Sequence, residues 1–383
     1  MEIHAFRFAP YALPFARPFP TSREILYERT GWLIWIQDGE GRWGLGEVAP
    51  LPGFGMESHQ EAGKMLAFWA ETLPGEKIDL AKQIAKIPDF AEQSVAFGLA
   101  RSVPSICANA PASIHGLELA LLDLAGQRTG KPLHRLLSSS SAPAVKVNAT
   151  LGAGTMADSL QQSKNFTDQG FQTLKVKVGR DSYENDFARL RQIRQRIGKQ
   201  VRLRIDANGS WQEAEALQWL DQLAVLDIEY VEQPLPAQNL EGMARLTQQS
   251  PIPIAADESV LSLEDAGKIV EQRAAHLLIL KPMALGGVLT TLAIARLAAS
   301  QQMPVVITTT LEGAFARAGA THAAAALQGL LPGSIPTYAH GLATGSMLSR
   351  DFIATPLEAI SGMISLPDSP GLGLPGLAAP SDL

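Results

Sequence analysis

Five short apolar runs between Thr173 and Lys281 each end in one or two charged residues. Thr-Leu-Lys-Val-Lys closes on Lys175 and Lys177, and Val-Arg-Leu-Arg-Ile-Asp closes on Asp206. Ile-Glu-Tyr-Val-Glu closes on Glu232, Pro-Ile-Ala-Ala-Asp on Asp257, and His-Leu-Leu-Ile-Leu-Lys on Lys281. Successive steps from Lys177 to Asp206, Glu232, Asp257 and Lys281 are 29, 26, 25 and 24 residues. A lone Asp or Lys after such a run is usually a solvated loop residue or a helix cap; five in succession form a different pattern. Three carboxylates brought to one place repel one another unless a cation lies between them. An all-oxygen donor set suits a hard divalent ion, Mg²⁺ first because it keeps positions for water and substrate oxygens, with Mn²⁺ as a substitute. Lysines flanking such an ion are expected to have depressed pKa values, so that one serves as a base near neutral pH.

The elements that carry these residues follow from the same period. Runs of this length rich in Val and Ile read as strands buried on both faces. The gaps hold helical patterns, among them 211–224 and 263–272. Strand alternating with helix at a nearly constant period predicts βαβ units around a parallel sheet. In a barrel of that kind the C-terminal strand ends converge on one mouth.

With 383 residues the chain has room for a barrel of ~250 residues and a second unit. A net charge of −6 argues against a nucleic-acid partner and against an anionic membrane surface. The single cysteine, Cys107, excludes an internal disulfide and suits a reducing compartment. The N-terminus lacks a basic segment followed by an apolar one, and no stretch approaches the ~18 apolar residues of a membrane span, so a cytoplasmic protein is expected. The sequence does not decide whether the chain forms a homo-oligomer.

In chain order, 3–48 reads as antiparallel sheet, with a hairpin connection at Asp38-Gly-Glu-Gly41. Two apolar, proline-rich stretches, 13–23 and 49–56, are expected as irregular loops packed over something. Helical patterns follow from 57 to about 100, and a strong helix at 112–128. A serine-rich linker at 136–141 leads to a first barrel strand at 145–151 and its helix at 155–169. Beyond Lys281 come a helix at 288–300, a strand at 304–310, a helix at 314–329 and a weak final strand at 338–342. The tail is expected to return to the N-terminal unit.

Lys175-Val-Lys177, Asp206-Ala-Asn208, Glu232-Gln-Pro234, Asp257-Glu-Ser259 and Lys281-Pro282 together resemble the enolase superfamily, in its muconate-lactonising subgroup. The resemblance implies an α/β fold, a modified TIM barrel (β/α)7β at 106–344, and an α+β capping domain at 1–105 joined by the tail 345–383. It implies Mg²⁺ on Asp206, Glu232 and Asp257, with Lys177 and Lys281 facing each other across a small-molecule carboxylate substrate. Glu47-Val-Ala-Pro-Leu-Pro-Gly-Phe-Gly-Met-Glu57, Thr308-Thr-Thr-Leu-Glu-Gly313 and Gly341-Leu-Ala-Thr-Gly345 resemble o-succinylbenzoate synthases of menaquinone or phylloquinone biosynthesis. That likeness implies a lyase performing a syn dehydration of 2-succinyl-6-hydroxy-2,4-cyclohexadiene-1-carboxylate. Lys177 would take the proton next to the carboxylate and return it to the departing hydroxyl. Lys281 would stay cationic over the ring, and Lys175 would lower the pKa of Lys177 by proximity. Proton removal leaves an enediolate whose charge Mg²⁺ would stabilise.

Substrate contacts are expected from Asn208, Thr309, Thr310, Glu312 and Gly341, and from Arg17 or Arg23 on the first cap loop as partner of the succinyl carboxylate. An arginine lying on the cap surface is the alternative for each. N-acylamino-acid racemase and dipeptide epimerase share the five motifs. Epimerases typically carry an Asp-x-Asp at the end of the last strand, where this chain has Gly341-Leu342-Ala343. That departure counts against the epimerase and leaves the racemase open. The acid-loop pattern of muconate cycloisomerase is not evident. A barrel that binds without catalysis is the alternative from another class, and the full charge set argues against it.

Overall fold

Three antiparallel strands, β1 (Ile3–Pro20), β2 (Ile25–Asp38) and β3 (Trp43–Val48), form a meander in the order β1-β2-β3. The computed structural model describes residues 1–20, 25–79, 110–152 and 154–380. The expected irregular loop at 13–23 is strand as far as Pro20. β1 is an edge strand, so a proline with no N–H to donate does not break an interior ladder. A register shift between Pro14 and Phe19 absorbs the intervening residues before pairing resumes at Phe19↔Leu26. Arg23 lies outside the described residues.

A capping box between Ser58 and Glu61 starts α1 (His59–Thr72), which buries Ala62, Met65, Leu66 and Trp69 at helical spacing. The rest of the helical pattern expected up to 100, and Cys107, fall largely or wholly outside the described residues. Next comes α2 (Pro111–Thr129), with every residue from Ala112 to Gly126 buried. β3 approaches it closely: a Cβ on Gly46 would lie 2.1 Å from the Gly116 carbonyl oxygen, and one on Gly44 2.2 Å from that of Ala120. Only glycine permits that backbone contact. The expected linker at 136–141 begins inside a short helix, α3 (Leu133–Leu137), because Leu133 and Leu137 bury one face a turn apart.

The barrel sheet is parallel. Its strands are β5 (Ala149–Leu151), β6 (Thr173–Lys177), β7 (Arg202–Asp206), β8 (Ile228–Glu232), β9 (Ile254–Ala256), β10 (Leu277–Leu280) and β11 (Val305–Ile307), adjacent in sequence order. Between them run α4 (Met156–Asp168), α5 (Tyr183–Ile197), α6 (Glu213–Leu223), α7 (Leu240–Gln249), α8 (Leu263–Gln272) and α9 (Val288–Ser300), with α10 (Ala314–Leu330) after β11. The single strand expected at 145–151 is divided. β4 (Ala144–Lys146) pairs antiparallel with β12 (Met363–Ser365) from the tail, and only β5 joins the barrel. The chain changes partner at Val147 and Asn148, whose amides donate to Gly362 and His340.

The weak final strand reduces to two bridges that close the sheet. His340 pairs with Val147, and Gly341 with Thr308, both parallel. The tail, expected to go to the N-terminal unit, first lies along the barrel as β12. Its later part then reaches the meander, where Trp35 Nε1 donates to Leu377 O at 3.0 Å and Arg7 to Pro380 O at 2.5 Å.

Inside the barrel, alternate residues of each strand point inward. Arg204 is wholly buried there, donating to Glu229, to Ala339 O at 2.6 Å and to Asn148 Oδ1 at 3.2 Å, while Tyr230 and Tyr338 flank its guanidinium. This charge-and-aromatic layer fills the barrel below the mouth.

Buried glutamates cap helices across the fold. Glu57 accepts from the amides of Ala112 and Ser113, Glu118 from that of Leu289, and Glu47 from those of Gly313 and Ala316. Each sets a carboxyl oxygen against otherwise unpaired amides at a helix N-terminus. Burial pushes the Glu118 carboxyl up to about 8, against the lowering effect of the Leu289 and Val288 amides. An unfolded glutamate titrates near ~4.3, so the folded chain holds this proton more tightly. The stability tied to Glu118 is therefore full at low pH and is lost as pH rises towards about 8. Glu118→Gln keeps an acceptor for Leu289 and has no proton to lose. Urea unfolding from pH 5 to 9 should show the variant gaining on wild type by on the order of a few kcal/mol. Parallel curves at all pH values would contradict the assignment.

Candidate active site at the barrel mouth

Strand register brings the charged residues to one level. Lys177 pairs with Asp206, and Asp206 with Glu232, across β6, β7 and β8. Asp257 and Lys281 follow β9 and β10 directly. Counting the closing segment as an eighth strand, β6 and β10 lie half-way round from each other. Lys177 and Lys281 thus sit on opposite sides of the mouth, and the three carboxylates on the strands between.

The contacts are dense. Lys175 Nζ lies 2.8 Å from Glu232 Oε1 and 3.2 Å from Asp206 Oδ2. Lys177 Nζ donates to Asn208 Oδ1 at 2.7 Å and lies 3.3 Å from Asp206 Oδ2. Lys281 is ion-paired with Asp257, and the Phe54 ring centroid lies 4.3 Å from its Nζ. Among the described residues no three His, Cys, Asp or Glu side chains form a ready-made metal cluster, and lysines are interleaved with the carboxylates. Yet Glu232 Oε2 is buried without a hydrogen-bond partner, beside two further acids. An orphaned carboxylate oxygen in an all-oxygen set is the donor chemistry a hard divalent cation satisfies.

Burial alone would raise the Asp206 pKa, but Lys175, Lys177 and Lys281 hold it well below the usual carboxylate range. Glu232 is pushed up to about 8, first by burial and then by the charge of Asp206. The expectation of depressed lysines concerns lysines beside a bound cation; the protein's own charges raise Lys175 and Lys281. Burial lowers both, but attraction to Asp206 and Glu232 at one, and to Asp257, Glu258 and Glu232 at the other, outweighs it and raises them.

Supporting residues explain why the motifs have their composition. Gln233 Oε1 accepts from the amides of Asp257 and Ser259 at 2.9 and 3.3 Å, and its Nε2 donates to Leu235 O at 2.9 Å. The Gln after Glu232 and the Ser after Glu258 therefore hold the Asp257 turn. Glu258 was not singled out from the sequence, where only the strand-terminal acid drew attention. It accepts from Asn208 Nδ2 at 2.9 Å, and burial followed by the Asp257 charge pushes it up to about 7. Arg29 was also missed, since no motif marks it. Buried, it donates to Ala49 O, Pro50 O and Thr310 O, tying the 49–56 loop to the barrel.

The remaining candidates fall into two places. Thr309 bonds Thr344 hydroxyl to hydroxyl at 2.9 Å, and Thr310 Oγ1 donates to Glu312 at 2.8 Å. A Cβ on Gly341 would meet Thr308 Oγ1 at 2.4 Å, and that hydroxyl donates to Gly341 O. Thr309, Thr310, Glu312 and Gly341 are thus brought together where β11 meets the closing segment. Arg17 is instead exposed on β1. It is within electrostatic reach of Asp158 on α4, whose carboxyl is held low first by Thr155 and last by Arg17. A cleft of about 340 Å³ beside Tyr183, Trp211 and Trp219 is also lined by Val178, Gly179 and Ser210 from the turns after Lys177 and Asn208.

Residues 156–375 match the family model "Enolase C-terminal domain-like". The chain belongs to the enolase superfamily. Residues 3–106 match a second model, "MenC, N-terminal domain". The chain is 36% identical over 267 residues to an L-Ala-D/L-Glu epimerase of Clostridium acetobutylicum, covering 68% of this chain and 71% of the relative. It is 28% identical to muconate cycloisomerase 1 of Pseudomonas putida, over 94% of this chain and 92% of the relative. A substrate-liganded L-Ala-D/L-Glu epimerase from Bacillus subtilis superimposes with a TM-score of 0.86 at 27% identity, covering 99% of this chain and 100% of that one. As an enolase-superfamily enzyme, the protein has an α/β fold in which cap strands precede a parallel barrel sheet. No helix among the described residues is long and apolar enough to cross a membrane.

The Gln233 contacts predict a cost for their removal. Gln233→Ala leaves the Asp257 and Ser259 amides without their acceptor, a loss of about 1–3 kcal/mol. The urea midpoint should fall accordingly. An unchanged midpoint would show that the turn holds itself.

Proposed function

We propose that this enzyme is a lyase that dehydrates 2-succinyl-6-hydroxy-2,4-cyclohexadiene-1-carboxylate to o-succinylbenzoate. The observation that carries the reading is the inequality of the two opposed lysines. Lys281 is ion-paired with Asp257 and roofed by Phe54, and both favour a permanent cation against the opposing effect of its burial. Lys177 is held by a neutral amide at 2.7 Å and by a more distant carboxylate at 3.3 Å. One lysine that cycles a proton opposite one that stays charged suits elimination on a single face. The MenC N-terminal match at 3–106 and the acid-free Gly341-Leu342-Ala343 segment support the same choice.

Asp206, Glu232 and Asp257 would hold Mg²⁺, an ion present in the complex of a similar dipeptide epimerase from Enterococcus faecalis. When bound, the ion would supply positive charge to the substrate carboxylate as proton removal makes it more negative. Carboxylates engaged by a cation would also pull less on the lysines. Lys177, entering as the neutral amine, takes the proton next to the substrate carboxylate. The C–O bond on the same face then breaks, and the proton on Lys177 leaves with the hydroxyl as water. A ring double bond forms and the ring becomes aromatic. Lys281 stabilises the developing negative charge from the opposite side.

A second reading, proton removal and return on opposite faces of an N-acylamino acid or a dipeptide, is favoured by the epimerases among the relatives. In that chemistry each lysine must be the base in one direction. Incubation with the cyclohexadiene substrate and Mg²⁺ should yield a product lighter by one water, with an aromatic ultraviolet spectrum. Lys177→Arg should lose at least ~10²–10⁴-fold, since guanidinium does not deprotonate. Lys281→Arg should keep part of the dehydration, because the cation is retained. Rapid racemisation of N-succinyl amino acids with negligible dehydration would overturn the proposal in favour of the second reading.

A further inference from the structure

We propose that Glu258 is a positioning residue for Lys177, acting through the side-chain amide of Asn208. The inference rests on the reading of Lys177 as the proton carrier. Asn208 stands between the two charges: its Nδ2 donates to Glu258 Oε1 at 2.9 Å, and its Oδ1 accepts from Lys177 Nζ at 2.7 Å. An amide has one donating and one accepting end, an ionised carboxylate only accepts and an ammonium only donates. Glu258 therefore fixes which way the amide faces. It draws the NH₂ to itself and leaves the oxygen for the lysine. Without it, Nδ2 loses its acceptor and only the lysine's own donation keeps the oxygen turned towards Nζ.

The backbone fits the same role. Asn208 has φ 45°, a left-handed conformation that asparagine tolerates better than most residues, and its amide donates to Asp206 Oδ1 at 3.1 Å. That turn aims the side chain across to the Asp257-Glu258-Ser259 turn, which Gln233 anchors. Among the described residues, the other polar contact of Lys177 is the 3.3 Å approach to Asp206. Released from Asn208, it would be drawn towards the carboxylates that Lys175 already contacts. Glu258 would thus hold the working lysine away from the ion-paired one.

The test compares Glu258→Gln, Glu258→Ala, Asn208→Ala and the double alanine variant. In crystals, Glu258→Ala should lose the Lys177–Asn208 hydrogen bond and Glu258→Gln, which can still accept from Nδ2, should keep it. A Lys177 that stays bonded to Asn208 Oδ1 in Glu258→Ala overturns the proposal, whatever the enzyme's reaction proves to be. Exchange of a substrate α-proton with D₂O is common to dehydration and racemisation and supplies the kinetic arm. Glu258→Ala should lower kcat for exchange about 10–10²-fold with KM within about twofold, the mark of a misplaced group rather than lost binding. Glu258→Gln should restore kcat to within about threefold of wild type, because the hydrogen bond to Asn208 survives. The double variant should be no slower than Asn208→Ala alone, since both act through one contact. Additive losses, or a raised KM with unchanged kcat, would overturn it. If wild-type protein exchanges no α-proton of any carboxylate offered, the reading of Lys177 falls, and the crystallographic result still decides the positioning.

Discussion

Buried like charges must be balanced, and the mouth of this barrel is arranged around that requirement. Asp206, Glu232 and Asp257 end three adjacent strands, all buried. In a medium that screens poorly, three such anions are costly without nearby positive charge. Lys175, Lys177 and Lys281 supply it from either side, and Gln233 and Arg29 hold the turns and the cap loop that enclose the cluster. The low Asp206 and high Glu232 pKa values are two expressions of that crowding. A site whose acids and bases already perturb one another is prepared for proton transfer near neutrality.

The fold serves this cluster at several distances. Inward-facing alternate residues place Lys175 and Lys177 together on β6, and put Arg204 one layer below Asp206 on β7. Glu47, Glu57 and Glu118 each fasten a helix N-terminus inside the protein. Gly44 and Gly46 let the cap sheet come close to α2, and the 49–56 loop then carries Phe54 to Lys281.

Much of this was legible because local pattern and tertiary role coincide on β6 to β10. Each strand is short and apolar and leads into the residue that reaches the mouth, so one reading gave both the strand and the candidate site. The misreadings lie where pairing is decided by distant segments. Prolines in β1 suggested a loop, yet an edge strand accommodates them. The 145–151 run looks like one strand, but the tail claims its first half. Glu258 stood next to a stronger candidate, and its importance appears only when Asn208 is seen to reach it. Arg29 bonds only to backbone carbonyls, which no side-chain motif encodes.

The claim that most of this depends on is that the three carboxylates are a cation site. Calorimetric titration of Mg²⁺ near pH 7, in two buffers of different ionisation enthalpy, tests it without recourse to catalysis. Because burial and the charge of Asp206 favour the protonated form of Glu232, which must be ionised to bind a cation, binding should release protons. Glu232→Gln should weaken binding by at least about tenfold and reduce the release, since one titrating carboxyl is gone. Equal affinity and equal proton release in wild type and Glu232→Gln would contradict the account.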